Sequence, residues 1–165
     1  MSAPLRPIGL HPHREVVRPE WVDYNNHLND AFYLVIFSHA TDAMMDQIGL
    51  DAAGRERGKH SLFTAELHLN YLKEVKVDTE VRVETMFLGF DAKRLHIFHT
   101  MYRGDETEPV ATNEQMQLSM DMTGPRVAPF QSDVLAAIEK IAAEHAKLPR
   151  PIQSGRAIAL PPRKG

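Results

Sequence analysis

Asp23, Asn25, Asn26, His27 and Asn29 are crowded into one short stretch, WVDYNNHLNDAFY, at positions 21–33. A carboxylate, three amides and an imidazole at this spacing are groups of acid–base chemistry. Aspartate is ordinarily ionised at neutral pH, so it takes a proton from water as a general base or attacks an electrophile itself. The competing reading is structural, because Asp and Asn clusters before helices commonly serve as caps and turns. Immediately afterwards the chain becomes a mostly apolar run.

That run predicts a helix over about Asn29–Ile48. Asn29 suits the N-cap, Asp30 complements the positive helix end, and Gly49 is a natural stop. Phe32, Ile36, Ala40 and Ala43 form one apolar row, widened by Tyr33, Phe37 and Met44. Such a helix should be surrounded rather than laid on a surface. A short extended segment at Arg14–Arg18 precedes it, and DAAGRERGKH after it reads as a loop. The period then changes from 3.6 to 2. In LFTAELHLNYL, Phe63, Ala65, Leu67, Leu69 and Tyr71 should face one way, with Thr64, Glu66, His68 and Asn70 opposite. VDTEVRVETMF, RLHIFHTMY and VATNEQMQLSMDM give three more long strands. A last helix spans roughly Ser132–Lys147, capped by Ser132, with Leu135, Ile138, Ile141 and Ala142 buried. Long strands joined by short turns, with helices to one side, make an α+β layout in which a curved, mostly antiparallel sheet wraps one apolar helix. We expect a single domain over 1–165, with its core at about 14–147 and a Pro/Arg-rich strap at 148–165.

Composition narrows the function. The chain is 43% hydrophobic and 25% charged with a net charge of −3, which argues against a general nucleic-acid binder. It contains no cysteine, which excludes disulfides and thiolate chemistry and suits the cytoplasm. The first residues lack the apolar core of a secretory signal, and no run is long enough to span a membrane. The nine histidines are scattered without an H-E-x-x-H motif, so neither a metal nor a separate cofactor is expected.

The element order, together with VRPEWVDYNNHLNDAFYLVIFSHATDAM, resembles the hotdog-fold acyl-CoA thioesterases of the 4-hydroxybenzoyl-CoA thioesterase type. Their pattern of an Asp, a loop with His and Asn, and an aromatic helix entry is met by Asp23, His27, Asn29 and Tyr33. NYLKEVKVDTEVRVET looks like the family's second and third strands. The family usually has Gly immediately before the His, where this chain has Asn26; asparagine tolerates the positive φ such a turn needs. The wording of EWVDYNNHLNDAFY and FSHATDAMMDQIGLDAAGRERG is similar to that of thioesterases linked to bacterial carnitine breakdown, which release glycine betaine from betainyl-CoA.

The resemblance implies thioester hydrolysis, with coenzyme A present only as part of the substrate. Asp23 would be base or nucleophile, and sequence does not separate those routes. His27 would brace the loop, orient the carbonyl or move protons, while Asn29 caps the helix or polarises. The unpaired amides of the helix start would receive the thioester oxygen. Trp21, Tyr24 and Phe63 are candidates to line the acyl pocket, or to hold a quaternary ammonium by cation–π contact, with Glu66 or Glu114 adding charge. Lys73, Lys76, Arg82 and Arg94 are available for CoA phosphates, and Lys73 has the family position. Rival readings are a hydratase or dehydratase, whose D-x-N-P-x-H run this chain does not match, and a non-enzymatic acyl-CoA-binding module. Family sites lie between subunits, so a homodimer is expected, with a tetramer left open.

Overall fold

Capping and alternation lay the described residues out in ten elements. The computed structural model describes residues 9–162. Strand β1 (His13–Val16) leads through a 3-10 turn (Pro19–Trp21) and a loop into α1 (Asp30–Gln47). Then come α2 (Ala52–Gly58), β2 (His60–Tyr71), β3 (Glu80–Phe90), β4 (Arg94–Arg103), β5 (Pro109–Asp121), β6 (Arg126–Val127) and α3 (Ser132–His145). The sheet runs β1-β3-β4-β5-β2, antiparallel throughout, with β6 appended to β5. The long strand β2 is therefore an edge.

Helix α1 lies against the inner face of this sheet. Tyr33, Ile36, Phe37 and Ala40 pack with Val81, Val83, Met101 and Ala111, while Met44 and Met45 meet Phe87, Leu95 and Ile97. Each such large apolar side chain contributes about 1.5–3 kcal/mol when fully buried. The helix is covered on one side only, however. Ala31, Leu34, Ser38 and Asp42 follow a helical stripe and are exposed, so the expectation of an enclosed helix is corrected for the single chain.

Beneath the middle of α1 the inner face turns polar. His99 is fully buried, with Nε2 2.9 Å from the Thr41 hydroxyl and Nδ1 2.9 Å from that of Thr85. Thr41 donates to the Phe37 carbonyl (3.0 Å), which leaves it to accept from His99 Nε2–H. Burial, reinforced by nearby His13, holds His99 down to about 3, so the imidazole is neutral. Close by, both polar atoms of the Asn113 side chain are buried without a partner among the described residues.

Three local expectations need correction. DAAGRERGKH contains the helix α2, started by Asp51 accepting from Gly54 N–H (2.8 Å) and ended by left-handed Lys59. Gln131, not Ser132, is the N-cap residue of α3, and the buried face of that helix is Val134, Ile138, Ile141 and His145. The strap is anchored: Gly155 N–H donates to Glu114 Oε2 (2.7 Å), and the Arg156 carbonyl meets His68 Nδ1 (2.9 Å) on the outer sheet face. Its last residues, 163–165, lie outside the described residues. No described helix is long and apolar enough to cross a membrane.

Candidate active site

The loop between the 3-10 turn and α1 is folded around Asp23. Its N–H donates to the His27 carbonyl (2.9 Å), and its own carbonyl accepts from Asn26 N–H (3.0 Å). Closing this turn puts Asn26 at φ +60°, the left-handed conformation that asparagine tolerates. The Asp23 carboxylate is fixed by the same turn, since Oδ1 accepts from the N–H groups of Asn25 (2.8 Å) and His27 (3.1 Å). Oδ2 has no partner among the described residues.

The loop is then zipped onto the segment following β2. Leu28 N–H donates to the Val75 carbonyl (2.7 Å), Val77 N–H to that of Asn26 (3.1 Å), and His27 forms a bridge with Lys76. His27 Nε2 lies 3.4 Å from Glu74 Oε2. The imidazole thus lies between Asp23's loop and Glu74, a residue of the neighbouring cavity's wall.

At the mouth of α1, Asn29 is the cap the sequence predicts: its Oδ1 accepts from Ala31 N–H (3.1 Å). Asp30 Oδ1 shares that donor at 2.8 Å, and Phe32 N–H donates to the Asn29 carbonyl at 2.9 Å. The Asp30 N–H is left without an acceptor among the described residues. It sits where the helix dipole makes the field positive.

A cavity of about 280 Å³ opens here, lined by Leu28, Asp30, Tyr33, Tyr71, Leu72, Lys73 and Glu74. The two tyrosine rings meet edge to face, with centroids 5.1 Å apart. The Tyr71 hydroxyl donates to the Asp30 carbonyl (3.0 Å), and that of Tyr33 to the Lys73 carbonyl (3.1 Å). Partial burial and the adjacent Asp30 charge push the Tyr71 phenol up, which keeps it a donor. Asp23 does not itself line this cavity; His27 and Glu74 connect the two.

Three aromatics named from the sequence are elsewhere. Tyr24 is 95% exposed, because the tight turn at Asp23 throws it outward. Trp21 is only 6% exposed, with Phe32 stacked against its ring and the Arg18 guanidinium 4.7 Å above it, so no face is left for an acyl group. Phe63 lies at the far end of β2, opposite Leu118, and is 44% exposed. Tyr71 lines the cavity instead. Alternation puts Tyr71 on one face with Phe63, Ala65, Leu67 and Leu69; a bulge between Thr64 and Glu66 turns Phe63 to the opposite face, while Leu67, Leu69 and Tyr71 stay together.

The cations and acids also sort themselves. Lys73 lines the cavity while its Nζ pairs with Glu108 Oε2 at 2.5 Å. Arg82 is 2% exposed, bonded to Glu84 and to the Gly104 and Glu106 carbonyls, and is closed to CoA. Arg94 is held by Asp91 at 2.6 Å. Lys76 is exposed and has no carboxylate partner among the described residues. Glu66 and Glu114 belong to a different cavity, on the outer sheet face, where Glu114 is paired with His96 Nε2 at 2.7 Å.

Comparison with known proteins identifies the family and the fold. The family profile described as Thioesterase-like superfamily matches residues 17–138. A betainyl-CoA thioesterase from Pseudomonas aeruginosa is 54% identical over 146 residues, 88% of this chain and 92% of that protein. An L-carnitine dehydrogenase/betainyl-CoA thioesterase from Agrobacterium fabrum is 40% identical over 92% of this chain. Here the chain spans only 31% of that longer protein's length. Among solved structures, a Staphylococcus aureus protein in complex with CoA superposes with a TM-score of 0.84 at 31% identity, covering 91% of this chain and 94% of that one. A Pseudomonas putida structure gives 0.80 at 48% identity, covering 91% and 96%.

Proposed function

This chain belongs to the thioesterase-like superfamily and is an acyl-CoA thioesterase of hotdog fold; on that premise we propose that its substrate is betainyl-CoA, hydrolysed to glycine betaine and CoA at the mouth of α1. The observation that carries the proposal is the cavity that combines one unpaired helix-start amide, two tyrosine rings and two carboxylates. The substrate's chemistry fits it closely. The quaternary nitrogen of a betainyl group is two bonds, roughly 2.5 Å, from the thioester carbonyl carbon. An oxygen held at Asp30 N–H therefore carries the cation into the immediate surroundings of that amide. There Tyr71 offers a π face, and Asp30 and Glu74 offer negative charge. A neutral acyl group gains nothing from those acids.

In this reading Asp23 Oδ2 takes a proton from water as the water oxygen attacks the carbonyl carbon. The new oxyanion is stabilised by Asp30 N–H. Collapse breaks the C–S bond, and the proton held by Asp23 passes to the departing thiolate. The same carboxylate attacking directly would form a mixed anhydride, which water then opens. In either route His27 acts by positioning, through its backbone bond to Asp23 and its contact with Glu74. In this reading no metal or separate cofactor takes part, and exposed Lys76, with Lys73 at the cavity wall, would meet the CoA phosphates.

The active form is a homodimer. Edge strand β2 carries exposed Phe63, Leu67 and Tyr71, with Leu72 just beyond it, and α1 leaves Leu34 exposed alongside. A second copy pairing along β2 would cover these groups and narrow the cavity mouth. Light scattering should give twice the chain mass under assay conditions; a fully active monomer contradicts this part.

The substrate proposal is tested by thiol release from betainyl-CoA and from 3,3-dimethylbutyryl-CoA, its uncharged tert-butyl counterpart. We expect kcat/KM to favour the cation at least tenfold. Equal rates would reject the cationic pocket while leaving the thioesterase assignment intact.

A further inference from the structure

We propose that His13, Glu15 and His39 form a binding site for one transition-metal dication of the zinc class, clasping the first strand to the central helix. Alternation puts His13 and Glu15 on the same face of β1, and His39 projects from the middle of α1 to meet them. His13 Nε2 and His39 Nδ1 both lie 2.9 Å from Glu15 Oε1, and His39 Nδ1 is 3.2 Å from Oε2. One ligand atom from each residue falls within 4.8 Å of the other two. The site is half-buried, and the two imidazoles meet edge to face with centroids 6.2 Å apart.

The donor set suits the ion. Two imidazole nitrogens and one carboxylate oxygen, with a fourth position for water, are ligands that zinc takes at about 2.0–2.2 Å. Ligand atoms around a tetrahedral ion at those lengths are roughly 3.3–3.5 Å apart. The two imidazole–carboxylate contacts at 2.9 Å would each open by about half an ångström to admit it. Both supporting elements are held in place, since β1 is registered against β3 through His13↔Val83 and Glu15↔Val81, and the buried face of α1 is packed into the core. Without an ion, one carboxylate serves two imidazoles; with one, all three donors face a single cation.

The site is separate from the candidate active site but mechanically joined to it. The His39 ring lies 6.2 Å from that of Trp21, whose carbonyl accepts from Asn29 N–H at 2.9 Å, at the cap of α1. The ion is thus structural. It should raise thermal stability and leave hydrolysis nearly unchanged.

The test is calorimetric titration of chelator-stripped full-length protein with zinc chloride, alongside its melting temperature. We expect one saturable zinc per chain, a rise in Tm on binding, and at least a tenfold loss of affinity in each of His13→Gln and His39→Gln. Zinc should then no longer raise Tm in a folded double variant. Absence of saturable uptake below about 100 µM would overturn the proposal and leave an ion-pair clasp. Undiminished uptake in the folded double variant would overturn it as well, assigning the binding to scattered surface histidines. Circular dichroism of each variant separates lost binding from lost folding, and Glu15→Gln gives an independent third reading.

Discussion

Two cavities of nearly equal size sit on opposite faces of the sheet, about 280 Å³ at the mouth of α1 and about 270 Å³ beneath the C-terminal strap. Both hold carboxylates, and the outer one is richer in histidine. They differ in what surrounds the unpaired groups, since exposed Glu66 in the outer cavity also has no partner among the described residues but no helix start lines that cavity. On the outer face Glu114 spends one oxygen on His96 and the other on Gly155 N–H, and His68 meets the Arg156 carbonyl. At the helix mouth Asp30 N–H and one oxygen of Asp23 have no partner among the described residues. Polar groups already satisfied fasten a strap; groups left open beside an electropositive helix end are available to a substrate.

The comparison breaks most directly at Asp23. Asp23→Asn keeps an oxygen for the Asn25 and His27 amides while removing the base, so kcat for thiol release should fall by about 10²–10⁴ with folding intact. Next in size is the acyl pocket. Tyr71→Leu keeps an apolar side chain but removes the π face, and the preference for betainyl-CoA over its tert-butyl counterpart should drop by about 2- to 30-fold. If the two substrates slow equally, the ring serves only to anchor Asp30.

A third effect reads the buried network under α1. His99 is held neutral with its pKa lowered to about 3, so it contributes no penalty above the unfolded value near 6.5. Below that, the unfolded chain binds a proton that the folded one does not. Stability is lost as pH falls from about 6.5 towards 3, by at most about 1.4 kcal/mol per pH unit from this group. Urea unfolding from pH 7.5 to 4.5 should show a steeper decline in wild type than in His99→Gln. The smallest expected change is at the outer cavity, where Glu114→Gln should leave kcat/KM within about twofold. A large loss there would show that the two cavities are coupled.

Much of this was legible in the chain, for local reasons. Asn29 caps α1 because its side chain reaches an amide two residues on, and the long strands announce themselves by alternation. The Asp23 turn was visible too, down to the left-handed residue at Asn26. What escaped depends on distant packing. Helix α2 has poor helical composition, with two glycines in AAGRERG, and Gly54 is required because a Cβ there would strike the Gly49 carbonyl. The nearest aromatics in sequence, Trp21 and Tyr24, are not the nearest in space. Tyr33 and Tyr71 meet only because the end of β2 returns to the first turn of α1. Arg82 looked like a surface charge and is buried, since its carbonyl partners at Gly104 and Glu106 come from the next turn.

The central claim is that the thioester oxygen is received by the backbone amide of Asp30, and Asp30→Pro measures it most directly. Proline fits the first position of a helix, and Asn29 already has the extended conformation (φ −64°, ψ 144°) that proline requires of its predecessor. The variant therefore removes the N–H while sparing the fold, and Asp30→Asn controls for the lost carboxylate. Against betainyl-CoA, kcat for Asp30→Pro should fall about 10²–10³-fold below that of Asp30→Asn. Equal kcat for the two folded variants would contradict the account.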